Sequence, residues 1–383
     1  MFKKFTTIAD KTERLEIYNL LKLNLAVGLR LSEFMALGLL MAGLGWFMGH
    51  YLTAALGAPA GGVAAIGLMM LFVGLFRLPF VSGQAKLAAD FGLDPQPPAR
   101  RFRRLAALDL RRGLLLGLVS ALLFLGLVYL SLPVWTWSAL GLGLALTALA
   151  AFRPGLWRPE QLRPLQEGEL EADLVRRIRH WATKTGLSDQ AILVSTSFNP
   201  ELTPPRLEGL GSSRRLIIPE KNLVAFTPRE LAVMVVTALV GALVKTTLKF
   251  LLLRLCAVAV AIPLGSILIS TLGVQLWGYP LAFSPALITL VWAAAWLAYG
   301  GAELASRLTF RNMEAQLAAA AVALLQDEGA LPAALATLAD QNLEEDHPPA
   351  WRELFRRHYS RRVFLKRVRY YQHLAQLEGP DQD

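Results

Sequence analysis

A single cysteine and five histidines in 383 residues remove several chemistries before any motif is considered. Cys256 has no partner for a disulfide framework, and it lies in a long apolar run where a reactive thiolate is disfavoured. The histidines are scattered: His50, His180, His347, His358 and His373. No two stand four apart with a glutamate between them, the spacing by which a helix holds zinc and activates water. No Ser-His-Asp or Cys-His arrangement can be argued either. Charge is missing altogether from "LGAPAGG", "SLPVW" and "GVQLWGYPLAF", and each of these separates two apolar runs.

Those runs set the class. Hydrophobic residues make up 54% of the chain and the mean hydropathy is +0.43, so the protein is expected to be an integral membrane protein. Six runs can cross a hydrocarbon core about 30 Å thick: residues 34–56, 61–81, 113–132, 135–152, 250–272 and 281–299. "GAPAG" alone divides the first two, which leaves one kinked unit as the alternative there. The Lys and Arg residues lie in the N-terminal segment, the 82–112 loop, the long middle segment and the C-terminal tail. By the positive-inside rule these four regions are cytoplasmic, in a plasma (inner) membrane protein with both termini inside. Trp46, Tyr51, Tyr129, Trp135, Trp137, Trp277 and Tyr279 gather at the far side as an interfacial belt would.

The net charge of +10 is explained by this topology and by anionic lipid, the first partner expected. Nucleic acid is not expected as a partner, because the basic residues flank spans and no nucleic-acid motif accompanies them. Residues 1–32 interrupt their apolar residues with charge and read as an amphipathic helix along the cytoplasmic face, not as a signal peptide. The run "RRHYSRRVFLKRVRYY" reads as a second membrane-surface helix.

The division expected is therefore an N-terminal segment (1–32), four spans with their cytoplasmic loop (33–153), a water-facing α+β domain (154–248), two spans with a helical extension (249–326) and a tail (327–383). In the α+β domain, "EGELEADLVRRIRHWATKTG" carries Leu170, Leu174, Ile178 and Trp181 at helical spacing, with Gly186 placed as a C-cap. "QAILVST" and "RRLIIP" read as two short strands. Thr227 and Pro228 supply an N-cap and first-turn proline for "TPRELAVMVVTALVGALVK", and Glu230 favours that helix N-terminus.

The order of these pieces, "RPLQEGEL", a helix ending in "TGL", a strand, a loop with Asn199, "LGSSRRLIIPEKNL" and "TPREL", resembles the integral-membrane CAAX prenyl protease family of zinc metallopeptidases. "RLPF", "DFGL" with Asp109, and "GAELASRLTFRNMEAQLAAAA" extend the resemblance over roughly residues 77–362. It implies a helical membrane barrel around a chamber, with a small α+β cytoplasmic domain between spans four and five. It also implies a zinc helix and a third ligand, and here the sequence departs. Counted from Thr227, the family's H-E-x-x-H falls on Thr237-Ala238-Leu239-Val240-Gly241. Counted from Ser306, the third ligand falls on Phe310. Glu314 approximates the Asp that follows it. His358 matches the family's His-Pro element, but Tyr359 replaces the proline.

The resemblance thus implies a degenerate member: a pseudoprotease with no metal or other cofactor, acting as a peptide-, lipid- or protein-binding scaffold. A carrier of lipid or prenylated substrate is the alternative, and an active endopeptidase with unrecognised chemistry a further one. Two further groups stand out. Asn199, Arg214, Arg215, Leu216 and Ile217 form a candidate peptide-binding edge, since strand addition needs no metal. Glu230, Glu303, Arg307, Arg311 and Glu314 form a candidate polar cluster, in which Arg307 or Arg311 would pair with Glu314 or Glu230 and replace the zinc as a tie between two helices.

Overall fold

Helices long and apolar enough to span a bilayer must satisfy their own backbone groups, and the chain meets this demand six times. In the computed structural model, residues 11–93, 97–152, 161–166, 168–196, 201–276, 287–344, 348 and 359–377 are described. The six candidate spans are Glu13–Leu56, Ala58–Asp90, Pro98–Tyr129, Leu132–Phe152, Thr246–Leu272 and Leu287–Leu325. They are formed by helices α1 (Lys11–Leu39) with α2 (Gly45–Leu56), α3 (Ala58–Asp90), α4 (Pro98–Tyr129), α5 (Leu132–Phe152), α9 (Thr246–Leu268) and α10 (Leu287–Leu325). This is a mainly α, multi-pass membrane fold with a small sheet. The chain divides into two compact units, Met1–Thr147 with Arg254–Ala302 and Ala148–Leu253 with Glu303–Asp383. The expected piece 249–326 is therefore split, with α10 contributing to both.

In the first unit "GAPAG" is a true break. Gly57 has φ +80, a left-handed conformation that glycine adopts without penalty, and Pro59 follows in the first turn of α3. From Lys11 onward α1 runs into the first span without a break and packs along α3. Arg14 donates to the Phe91 carbonyl at 2.6 Å and the Tyr18 ring packs tilted against Phe91 with centroids 5.1 Å apart, so this packing secures its polar half. Trp135 is likewise no belt residue. It is 1% exposed, and its indole N–H donates to the Leu123 carbonyl at 2.7 Å, whereas Tyr129 and Trp137 are exposed. Trp277 and Tyr279 lie outside the described residues.

One group of charges inside these helices is paired, as a low-dielectric setting favours. Arg77 of "RLPF" reaches Glu33 on α1 at 3.4 Å and Asp109 on α4 at 3.2 Å, while Arg30 reaches Glu33 at 3.2 Å. Three helices are thereby joined by one guanidinium. Phe124 and Trp135 pack with Ile66, Leu127, Val258, Ile262 and Val291 in a buried cluster. Large apolar residues such as Leu71, Leu75, Leu114 and Leu118 stay exposed, which is the surface that hydrocarbon solvates.

The second unit contains a four-stranded sheet in the order β1-β2-β4-β3: β1 (Leu162–Pro164), β2 (Ile192–Ser195), β3 (Arg206–Glu208) and β4 (Arg215–Pro219). The two strands expected from sequence, β2 and β4, pair in parallel with Ile192 opposite Leu216. β1 and β3 are three residues each and add antiparallel at the two edges. Around the sheet lie α6 (Ala172–Lys184), α7 (Glu220–Ala225), α8 (Pro228–Leu243), α11 (Ala330–Asn342) and α12 (Arg361–Leu377). α6 buries Leu174, Ile178 and Ala182, and ends at Gly186 with φ +74, the C-cap read from the sequence.

The close fit of Gly62 is open to test. A Cβ there would overlap the ring of Phe124, which is fully buried. Gly62→Val is expected to destabilise the detergent-purified protein by about 1–3 kcal/mol, seen as a lowered thermal midpoint. Gly67→Val, which meets nothing within 4 Å, is expected to change it far less.

Candidate functional site

The site begins with a cap. The Thr227 hydroxyl accepts from the Glu230 N–H at 3.4 Å, and the Glu230 carboxylate accepts from the Thr227 N–H at 2.8 Å, closing a capping box. Pro228 fills the first helical position. α8 then runs through the core of the unit with Leu231 to Val236, Leu239 and Val240 all buried. Eleven of its sixteen residues are buried, which places its polar positions under tight constraint.

Three of the degenerate positions lie on α8. The Thr237 hydroxyl donates to the Val233 carbonyl at 2.7 Å, which leaves it engaged with its own helix. Ala238 is half-buried and packs against the core cluster. Gly241 is buried, and a Cβ there would meet Thr246 and Leu317 at ordinary contact distances of 3.4 to 3.7 Å. The fourth, Phe310 on α10, packs edge-on against Phe250 of α9 with centroids 5.2 Å apart. Phe250, absent from the sequence reading, is thus the partner of the third-ligand position, and its apolar run concealed it. Zinc needs nitrogen, sulfur or carboxylate donors. These four positions offer one hydroxyl, already committed, so they do not fit that ion. Among the described residues no three His, Cys, Asp or Glu side chains gather at metal-binding distance. His358 lies outside the described residues.

Arg307 pairs with Glu303 one turn away on α10 at 2.8 Å. Glu230 takes no arginine: besides its cap it accepts from the Thr337 hydroxyl of α11 at 3.3 Å. The helix tie exists, but from α8 to α11 and through a hydroxyl, because the capping geometry had already claimed the carboxylate. Arg311 is 3% exposed and its guanidinium sits 5.5 Å from the centre of the Tyr359 ring. Arg367 of α12 stacks near the same ring at 5.8 Å, and the Tyr359 hydroxyl meets the Asn312 side-chain oxygen at 2.9 Å. Glu314 is half-buried and also has a partner.

The candidate peptide edge needs correction. Arg215, Leu216 and Ile217 lie on β4, which is flanked by β2 and β3 and has no free edge; Arg214 immediately precedes it. Leu216 and Ile217 are fully buried because a central strand is covered on both faces. Among the described residues the outer strands are β1 and β3, and β3 is too short and too polar to be read from "RLE". Glu208 on it binds Arg206 at 2.9 Å and Arg215 at 3.2 Å. Asn199 lies outside the described residues. The approach to β3 is held by two asparagines that the sequence did not single out. Asn342 both accepts from the Leu202 N–H at 2.6 Å and donates to the Leu202 carbonyl at 2.8 Å, and Asn222 donates to the Thr203 carbonyl at 2.9 Å. Their side-chain amides stand in for a neighbouring strand.

"RPLQEGEL" has a structural meaning too. Arg163 on β1 meets Glu169 at 2.5 Å and Glu220 on α7 at 3.1 Å. The hydrogen bond from Arg163 holds the Glu169 carboxyl below its ordinary range, and the Gln166 N–H adds to this; Arg163 is shifted up by the same pairing.

No protein-family description matches the chain and no curated protein matches it. A solved structure does: the crystal structure of S. mikatae Ste24p is similar with a TM-score of 0.76, over 94% of this chain and 89% of that one, at 15% identity. Ste24p is a CAAX prenyl protease and a zinc metallopeptidase. At this identity the likeness is one of fold, and it is the fold of the family whose motifs the sequence resembles.

Two expectations follow. Asn342→Ala leaves the Leu202 amide and carbonyl without their buried partner, at a cost of about 1–3 kcal/mol; hydrogen exchange at Leu202 and along β3 should rise ahead of that in α8. Glu169 has a folded value below its unfolded one, so its contribution to stability is complete above the ordinary carboxylate range and disappears as pH falls through the lowered value. The natural protein should therefore have a higher thermal midpoint than Glu169→Gln at neutral pH, with the two curves converging on acidification. Parallel curves would contradict this.

Proposed function

We propose that this protein is a catalytically inactive relative of membrane CAAX-type metallopeptidases, a pseudoprotease that binds peptide, lipid or protein in the membrane without cleaving it. The observation that carries the reading is the chemistry of four positions. A hydroxyl bonded to its own helix, a methyl group, a hydrogen atom and a phenyl ring stand where the family counts two histidines and two glutamates. Neither a Lewis acid nor a general base can be built from them.

Capture of an extended segment remains compatible with what is present. β3 offers an open edge of backbone N–H and C=O groups beside α8, and main-chain pairing does not depend on a metal. The membrane orientation belongs to the same proposal: both termini and the α+β domain face the cytoplasm, on the distribution of Lys and Arg.

Elemental mass spectrometry on the purified protein tests the central point. A version carrying Thr237→His, Ala238→Glu, Gly241→His and Phe310→Glu is measured beside it. The natural protein is expected to be zinc-free and the rebuilt one to retain about one equivalent, as three ligands and a water would hold. Stoichiometric zinc in the natural protein would overturn the reading and return the chain to the enzymes.

A further inference from the structure

The C-terminal helix α12 is amphipathic in an unexpected sense. Its apolar side is already used: Phe364 and Val368 are buried, and with Leu365 and Tyr371 they join the core that α8, α10 and α11 build. α12 packs on α11. An interfacial helix that inserts its apolar face into a bilayer needs that face free, so this mode of membrane binding is closed to α12.

What the helix presents outward is charge of one sign. Arg362, Lys366, Arg369 and His373 are spaced four, three and four apart and all are exposed, with Tyr370 exposed beside them. At about 100° per residue they form a single stripe opposite Phe364, Val368 and Tyr371. α12 contains no acidic residue; the nearest in sequence, Glu353 and Glu378, fall outside it. Among the described residues, Arg362, Lys366 and Arg369 form no ion pair. Arg367, by contrast, lies over the Tyr359 ring. Burying one face fixes the helix, and fixing the helix aligns three cations without an ion pair among the described residues, with a tyrosine beside them.

We propose that this stripe is an electrostatic docking surface for the anionic lipid headgroups of the membrane in which the protein's own spans lie. Three features favour that partner. The six candidate spans keep the chain permanently at a bilayer, so the leaflet is present at high local concentration. Basic residues close to an anionic leaflet are attracted over roughly a Debye length of about 8–10 Å without inserting. Tyr370 supplies the amphipathic ring typical of the headgroup level. The stripe has no aromatic array for stacking bases and no groove, which argues against nucleic acid. This surface is independent of the proposed inactivity, so the two stand or fall separately.

The experiment uses the full chain in lipid nanodiscs, with Cys256→Ser to remove the natural thiol and His373→Cys to carry a spin label on the stripe. Label accessibility to a water-soluble nickel complex is measured in phosphatidylcholine discs and in discs that also contain phosphatidylserine. Phosphatidylserine is expected to lower accessibility several-fold, high salt to restore it, and the triple change Arg362→Gln, Lys366→Gln, Arg369→Gln to abolish the response while leaving the thermal midpoint unchanged. Equal accessibility in both discs would overturn the proposal, as would an undiminished response in the triple variant. Protection by a short RNA where phosphatidylserine gives none would do so as well, and would name nucleic acid as the partner. The salt dependence of the unsubstituted stripe decides the matter even if the triple variant folds poorly.

Discussion

A backbone N–H or C=O exposed to hydrocarbon costs several kcal/mol, and this one constraint orders the rest of the molecule. It demands helical backbone through the spans, with a local kink at Gly43 in the first, and the described strands all lie in the second unit. Non-glycine residues in the left-handed region, Lys245, Gln326 and Leu343, occur where helices end outside the most apolar stretches. The same low dielectric explains why Arg77 has two carboxylates around it on two other helices.

The sequence was legible wherever one local rule dominated. Span number follows from length and hydropathy, the start of α8 from Thr227, Pro228 and Glu230, and the end of α6 from Gly186. Each of these depends on residues adjacent in the chain. What could not be read depended on distant partners. β1 and β3 exist because β2 and β4 present unpaired edges to them; "LRP" and "RLE" have no strand signature of their own. Trp135 was placed at the interface by its residue type, yet a carbonyl on α4 satisfies its N–H, and that permits full burial. The amphipathicity of α12 was visible, but periodicity cannot say whether protein or lipid covers the apolar face.

The candidate site divides along the same line. The missing donors at Thr237, Ala238, Gly241 and Phe310 are a matter of counting from Thr227 and Ser306, and the structure shows what those residues touch. Their surroundings were not countable. Phe250 comes from a span, Tyr359 from the tail, and Thr337 from a helix more than a hundred residues from Glu230. A one-dimensional reading offered Arg307 or Arg311 a carboxylate, because opposite charge is the first partner to consider. The aromatic face beside Arg311 was not in that reading: a guanidinium is weakly hydrated and stacks, so it tolerates a buried site that would expel an ammonium.

The proposed reading puts apolar residues where a polar centre would stand, and that changes what a core must do. A metal site holds helices together through a few strong, directional bonds; without them the volume has to be filled and the helices joined by other means. Phe250 and Phe310 supply volume as an edge-on pair, an arrangement that rings prefer to direct face-to-face stacking. Glu230 and Thr337 supply a direct bond from α8 to α11. Arg311 and Tyr359 tie α10 to the residues just before α12. None of these contacts needs an ion, and each joins segments far apart in the chain. Two large apolar side chains are more tolerant of small helix shifts than a tetrahedral ion is, because dispersion falls off gradually while coordination geometry is specific. Under the proposed reading, a core of this kind keeps a metallopeptidase-like fold while its helices are released from the geometry that a metal would impose, which is the physical condition for such a shell to serve as a binding surface.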